Sequence, residues 1–254
     1  NHAADLGGLA NDTGFSLGNA HALRIREQLL RINNATTGHR LLRGAISPGA
    51  VTLLALPDPE RLVQLAEDLE EVAELILANT VVRDRFTGTA VLTREQAQDL
   101  GCLGYVARAS GLATDARIDH PSAELVNTPV TRTDGDVLAR FTLRMEEYAA
   151  ATQLAVSLIG SADTLAFRGT PAGRVWTIGD SDAASSGVGI VEGWRGTIVH
   201  RVEVDSGGRL TRAKIVDPSW FNWPALPVAL AGTIVPDFPL TNKSFNLSYA
   251  GNDL

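Results

Sequence analysis

Residues 58–79 read Asp-Pro-Glu-Arg-Leu-Val-Gln-Leu-Ala-Glu-Asp-Leu-Glu-Glu-Val-Ala-Glu-Leu-Ile-Leu-Ala-Asn, and this stretch decides the fold class. Leu62, Leu65, Ala66, Leu69, Val72, Ala73 and Ile76 recur at helical spacing with acids on the other face, which predicts an amphipathic helix. Asp58 stands at the cap position, and Pro59 at the first helical position, where its missing N–H removes no internal bond. A second helix is expected to start near Thr133-Asp134-Gly135-Asp136, which resembles a capping box. It carries Phe141, Met145 and Tyr148 on one stripe toward Ile159. Residues 1–32 read mostly helical, with Gly7, Gly8, Gly14 and Gly18 suggesting close packing against a neighbour, and residues 93–100 read as a shorter helix.

The pattern changes after Gly160. Residues 161–189 are rich in Gly, Ser, Thr and Asp and read as a long loop. Residues 197–204 alternate Ile198, His200, Val202 and Val204 against Val199, Arg201 and Glu203. The turn Asp205-Ser206-Gly207-Gly208 follows and residues 209–216 alternate again, which predicts a β-hairpin. A short helix is expected over about 222–231 and an irregular tail over 236–254. The expected class is α+β and predominantly helical: long helices packed together with a β-hairpin at about 190–216.

Composition narrows the function. Of 254 residues 44% are hydrophobic, enough for a sizeable core, and 22 basic side chains stand against 29 acidic ones, for a net charge of −7. Scattered basic residues on an acidic chain argue against a nucleic-acid partner, since counterion release needs clustered cations. The most continuous apolar stretch, residues 224–235, is about half the roughly 20 residues a spanning helix requires. Cys102 is the single cysteine, so this chain forms no internal disulfide and holds no cysteine-ligated cluster of its own. The chain opens at Asn1 without a methionine or a signal pattern, and is expected to be part of a longer polypeptide.

Familiar catalytic motifs are missing. The five histidines do not pair at metal-ligand spacing, and neither a P-loop nor a Gly-x-Ser-x-Gly elbow occurs. The run Gly187-Val188-Gly189-Ile190-Val191-Glu192-Gly193 leads into a strand with its third glycine displaced, unlike a dinucleotide loop. Cys102 reads as a small buried apolar residue. Two stretches concentrate charge: Arg108-Ala109-Ser110-Gly111 followed by Asp115, Arg117 and His120-Pro121, and Glu192-Gly193-Trp194-Arg195-Gly196, where a guanidinium beside a strand start suits an anionic ligand or a partner carboxylate. A surface salt-bridge loop would account for the first stretch equally well.

Taken in order, five motifs resemble the large subunit of NiFe hydrogenases, nearest the formate hydrogenlyase large subunit and its relative, the quinone-site subunit of respiratory complex I. The motifs are Asn1-His2-Ala3-Ala4-Asp5-Leu6-Gly7-Gly8-Leu9-Ala10-Asn11-Asp12; Arg108-Ala109-Ser110-Gly111 with Asp115-Ala116-Arg117; Gly135-Asp136-Val137 with Arg140 and Arg144-Met145-Glu146-Glu147; Glu192 with Arg195-Gly196; and Pro218-Ser219-Trp220-Phe221-Asn222-Trp223 through Asp237-Phe238-Pro239-Leu240.

The resemblance implies that residues 1–254 form a single hydrogenase-large-subunit-like C-terminal domain. The preceding family segment would carry the first Cys-x-x-Cys or, in the complex I branch, the quinone-contacting His and Tyr. The second Cys-x-x-Cys of the hydrogenase branch falls on Ser248 and Gly251 here, and neither residue bridges nickel and iron as a thiolate does. Arg195 falls on the arginine that lies over the hydrogenase cluster. The function implied is that of one subunit of a membrane-associated, multisubunit oxidoreductase of hydrogenase or complex I type with the NiFe site vacated. Arg108, Asp115, Arg117, His120, Glu192 and Arg195 would then be cavity or interface charges. The chain would hold no cofactor itself; an iron–sulfur small subunit would supply the cluster, a quinone is the candidate ligand, and antiporter-like membrane subunits would hold the assembly at the cytoplasmic face. Two alternatives stand beside this: an inactive scaffold that docks an iron–sulfur partner, and a genuine hydrogenase whose tail aligns differently.

Overall fold

Small residues let the first two helices approach closely. In the computed structural model, which describes residues 1–47, 50–121, 128–161 and 184–253, α1 (His2–Asp12) and α2 (Ser16–Thr37) form a helical hairpin. A Cβ on Gly7 would stand only 2.9 Å from the Ala22 Cβ, so the glycine sets the approach the sequence suggested. A two-stranded bridge follows, β1 (Ile46–Ser47) with β2 (Ala50–Val51). The deciding stretch becomes α3 (Pro59–Ala78), its first turn capped by Asp58, whose carboxylate accepts from the Glu60 amide at 3.0 Å. Leu65, Leu69, Val72, Ala73 and Ile76 form its buried stripe.

Short helices come next: α4 (Thr80–Phe86), α5 (Arg94–Asp99), α6 (Gly104–Ala109) and α7 (Ala116–Asp119). Thr93 and Gln96 close a capping box on α5. The central helix α8 (Val137–Gly160) is capped by Asp136, which accepts from the Ala139 amide at 2.7 Å. Its capping aspartate thus lies at the end of the quartet Thr133–Asp136, not at its start. Phe141, Leu143 and the side chains of Arg140, Arg144 and Glu147 are buried on its inner face.

The β region corrects the sequence expectation. Instead of a hairpin alone, β3 (Ser185–Gly193), β4 (Gly196–Val204) and β5 (Leu210–Val216) form a three-stranded antiparallel sheet in the order β3-β4-β5. Ser185 pairs with Val204 and Val199 with Val216, and the register shifts at Glu203/Val204. The end of the expected loop is therefore strand from Ser185 onward, while its residues 162–183 lie outside the described residues.

The tail is also more regular than expected. After α9 (Pro218–Asn222) and α10 (Ala225–Leu230), a 3-10 turn at Val235–Asp237 leads into α11 (Phe238–Phe245) and α12 (Tyr249–Asn252). α11 buries Leu240, Thr241, Ser244 and Phe245, which supplies the order that its short length and its proline conceal in the sequence.

One buried cluster runs from Ala3 on α1 to Leu247 before α12 and includes Ile25, Leu65, Phe86, Phe141 and Phe245. Among the described residues no helix is long and apolar enough to cross a membrane. Cys102 sits in this cluster, 3% exposed, and burial pushes its thiol up to about 11. The native protein should therefore react with a disulfide-exchange thiol reagent only as fast as it opens, and fully on denaturation. Prompt native labelling would contradict this placement.

Candidate functional site

The site is built around a buried arginine. Arg108 is on α6, and its side chain is 2% exposed between α8 and β3. A guanidinium taken out of water needs charged partners. Arg108 hydrogen-bonds two carboxylates and a carbonyl: its Nε donates to Glu147 Oε1 at 2.5 Å, and its Nη1 donates to Glu192 Oε1 at 2.9 Å and to the Thr114 carbonyl at 2.9 Å. Burial lowers its pKa, but Glu147 and Glu192 outweigh burial and the net direction is upward. Glu192 is itself held in place: its Oε2 accepts from the Ala116 amide at 3.0 Å and from Thr197 Oγ1 at 3.1 Å.

A second guanidinium stands at the rim. Arg117 clasps Asp115, with Nη2 donating to Oδ2 at 2.6 Å and Nε donating to Oδ1 at 2.9 Å. Asp115 lies 3.9 Å from Arg108 and also caps α7. Burial pushes its carboxyl up, while the bonds from Arg117 pull it down more strongly, so it stays below the ordinary carboxylate range.

Arg108, Arg117, Glu147 and Glu192 line a cavity of about 260 Å³ with His2, Thr128, Val130 and Trp194. His2 is half-buried; its Nε2 stands 3.8 Å from Glu147, and its Nδ1 has no hydrogen-bond partner among the described residues. Burial first, then the positive amino group of Asn1 and Arg144, lower its pKa from 6.5 to about 3. The folded state therefore holds this imidazole neutral where the unfolded chain protonates it. Unfolding takes up a proton between those two values, so His2 costs stability as pH falls from about 6.5 toward about 3. In pH-dependent denaturation, His2→Gln should flatten this part of the profile; an unchanged profile would contradict the assignment.

A second buried array backs the cavity. Arg144 donates to Asp5 at 3.1 Å and to the Ser244 carbonyl at 2.6 Å, and its guanidinium lies 3.9 Å from the centre of the Tyr105 ring. Asn246 Nδ2 donates to the other Asp5 oxygen at 2.7 Å. Arg140 has no ion-pair partner among the described residues and donates to the carbonyls of Gly135 and Ala90 and to the Ser244 hydroxyl. Burial and then Arg144 lower its pKa to about 9.

The structure thus brings Arg108, Asp115, Arg117 and Glu192 together. It sets two sequence candidates apart from them. Arg195 turns toward the C-terminal helices, stacking 4.0 Å over Trp194 and donating from Nε to the Asn246 carbonyl at 2.6 Å. His120 is exposed at the end of α7. Glu147 and His2 belong to the cluster although their motifs did not mark them as site residues. The signal for Glu147 was present: Arg140, Arg144 and Glu147 are polar residues spaced at i, i+4 and i+7 on the stripe that should face the core.

Neither Ser248 nor Gly251 carries a thiol. The Ser248 hydroxyl caps α12, accepting from the Gly251 amide at 2.9 Å. A Cβ at position 251 would lie 2.6 Å from Asp217 Cγ, closer than real contacts allow. Cys102, the single cysteine of the sequence, is buried elsewhere. Among the described residues no three His, Cys, Asp or Glu side chains gather as metal ligands.

Comparison with known proteins follows the same lines. The family model described as "Respiratory-chain NADH dehydrogenase, 49 Kd subunit" matches residues 12–163, more than half of the chain. Formate hydrogenlyase subunit 5 of Escherichia coli K12 is 28% identical over 262 residues, covering 99% of this chain and 44% of that protein. An NADH-quinone oxidoreductase subunit of Phocaeicola vulgatus is 34% identical over 159 residues, covering 59% of this chain and 31% of that protein. The chain thus spans less than half the length of these relatives. A solved chain from the membrane-bound sulfane sulfur reductase, an archaeal respiratory membrane complex, shares the fold with a TM-score of 0.79 at 21% identity, over 100% of this chain and 71% of that one. With the motif order, the fold and the family match in agreement, the chain belongs to the 49 kDa subunit family of the respiratory-chain NADH dehydrogenase, the family that also takes in hydrogenase large subunits.

Proposed function

We propose that this chain serves as the large subunit in a membrane-associated electron-transfer complex of hydrogenase or complex I type in which the NiFe position has been given up. The observation that carries the reading is the filled tail: Ser248 is spent on a helix cap, and a side chain at position 251 would meet the Asp217 side chain. Family membership and the likeness to a respiratory membrane complex support the setting. In this reading the electrons come from an iron–sulfur cluster of a small partner subunit. Antiporter-like subunits hold the assembly peripherally at the inner face of the membrane, and a quinone is the candidate acceptor.

The chain's own part is a cavity wall of fixed charge. Arg108 holds Glu147 and Glu192 in place, Arg117 stands at the opening, and neutral His2 presents a ring nitrogen without a hydrogen-bond partner among the described residues. A second reading, a scaffold without redox work, draws on the completeness of these ion pairs and on Arg195 facing away from the cavity. The two differ in one experiment on the complex isolated from solubilised membranes. With assembly intact, Glu192→Gln should lower electron transfer at least about tenfold if the cavity works, a barrier change of about 1.4 kcal/mol. Unchanged turnover would leave the scaffold.

A further inference from the structure

Trp194 lines the charged cavity, yet the chain around it does not set its place. Gly193 pairs with Gly196, so Trp194 and Arg195 are the two central residues of the β3–β4 turn. Two-residue hairpins favour a left-handed first residue, because that twist matches the strands. Here neither central residue has a positive φ, and of the four turn residues only Gly196, at +133°, leaves the ordinary region. The turn therefore takes its shape from what it touches.

Those contacts form a closed ring of side chains. The Arg195 guanidinium lies 4.0 Å from the centre of the Trp194 ring, and its Nε donates to the Asn246 carbonyl at 2.6 Å. Asn246 Nδ2 donates to Asp5 at 2.7 Å, and Asp5 accepts from Arg144 at 3.1 Å. The Arg144 guanidinium stands 3.9 Å from the centre of the Tyr105 ring, and Tyr105 stacks on Trp194 at 5.9 Å with 24° between the planes. Tyr105 and Arg144 are fully buried, and the Tyr105 hydroxyl donates to the Phe245 carbonyl. The indole is thus tied at once to α1 through Asp5, to α6 through Tyr105, to α8 through Arg144 and to the segment after α11 through Asn246.

We infer that Arg195 is a positioning residue of the cavity, which fixes the Trp194 indole as a wall against which the electron acceptor packs. Arg195 is absent from the described residues that line the cavity, so it acts through the indole. The two contacts need a guanidinium: its planar face lies over the ring while an N–H in its plane donates to the carbonyl, and an ammonium has no such face. The inference rests on the cavity being the working site, as proposed above.

The test uses the complex isolated from solubilised membranes, decylubiquinone as acceptor, and the variants Arg195→Lys, Arg195→Gln, Trp194→Leu and Trp194→Leu combined with Arg195→Gln. Each single Arg195 variant should raise the KM for decylubiquinone about fivefold and change kcat by less. Added to Trp194→Leu, Arg195→Gln should change KM by less than about twofold, because a residue that acts through the indole then has nothing to hold. The full chain labelled with 5-fluorotryptophan gives a readout without turnover. The fluorine resonance lost in Trp194→Leu should move in both Arg195 variants while circular dichroism stays unchanged. An unmoved resonance, additive effects in the double variant, or a lysine variant equal to the parent protein would each overturn the inference. Unchanged turnover in Glu192→Gln would instead overturn the function proposed above, and the Trp194 resonance would still decide the role of Arg195.

Discussion

Replacing Arg108 by methionine lowers the unfolding free energy by about 3–5 kcal/mol, because Glu147 and Glu192 lose the guanidinium that bridges them. Glu147 and Glu192 have side chains 9% and 4% exposed, and water cannot reach them freely enough to take over. Much of the loss is the cost of stranded charge, not the worth of the ion pair itself. Combining Arg108→Met with Glu147→Gln and Glu192→Gln should therefore recover a large part of it. Urea denaturation of the single and triple variants checks this. If the single variant loses less than about 1 kcal/mol, the hub has been misassigned.

Gly104→Ala should be similarly severe, at about 3 kcal/mol or more, through the backbone. Gly104 has a φ of +64°, in the left-handed region, which costs a side-chain-bearing residue about 1–2 kcal/mol. An added Cβ would also run into the Arg195 carbonyl and stand 2.6 Å from the Gly196 amide nitrogen. Those atoms belong to the β3–β4 turn, where neither neighbour is a flexible side chain that can swing aside. This contact anchors α6, which carries Arg108, against the sheet that carries Glu192. The variant should thus lose stability and disturb the cavity together, readable as a lower midpoint and altered Trp194 fluorescence.

Local signals made the helices legible. α3 shows a clean apolar stripe, a capping aspartate and a proline at its first position, all short-range features. The strand β3 was hidden because Ser185-Ser186-Gly187-Val188-Gly189 is poor in strand formers and largely exposed; its order comes from pairing with β4. α11 was hidden for the opposite reason, since a short helix with a proline draws its stability from burying Leu240 and Phe245. Four members of the charge cluster, Arg108, Asp115, Arg117 and Glu192, were visible as unusual local chemistry. Its assembly was not, because Arg108 meets Glu147 across 39 positions and Glu192 across 84, distances at which spacing carries no information. Arg195 shows the converse: its motif marked it for the cavity, and the Asn246 carbonyl holds it elsewhere.

Metal analysis of the complex isolated from its native membranes tests whether the NiFe position is filled. This chain should co-isolate with an iron–sulfur partner whose iron is stoichiometric while nickel stays at trace level. Nickel at one atom per copy of this chain would contradict it.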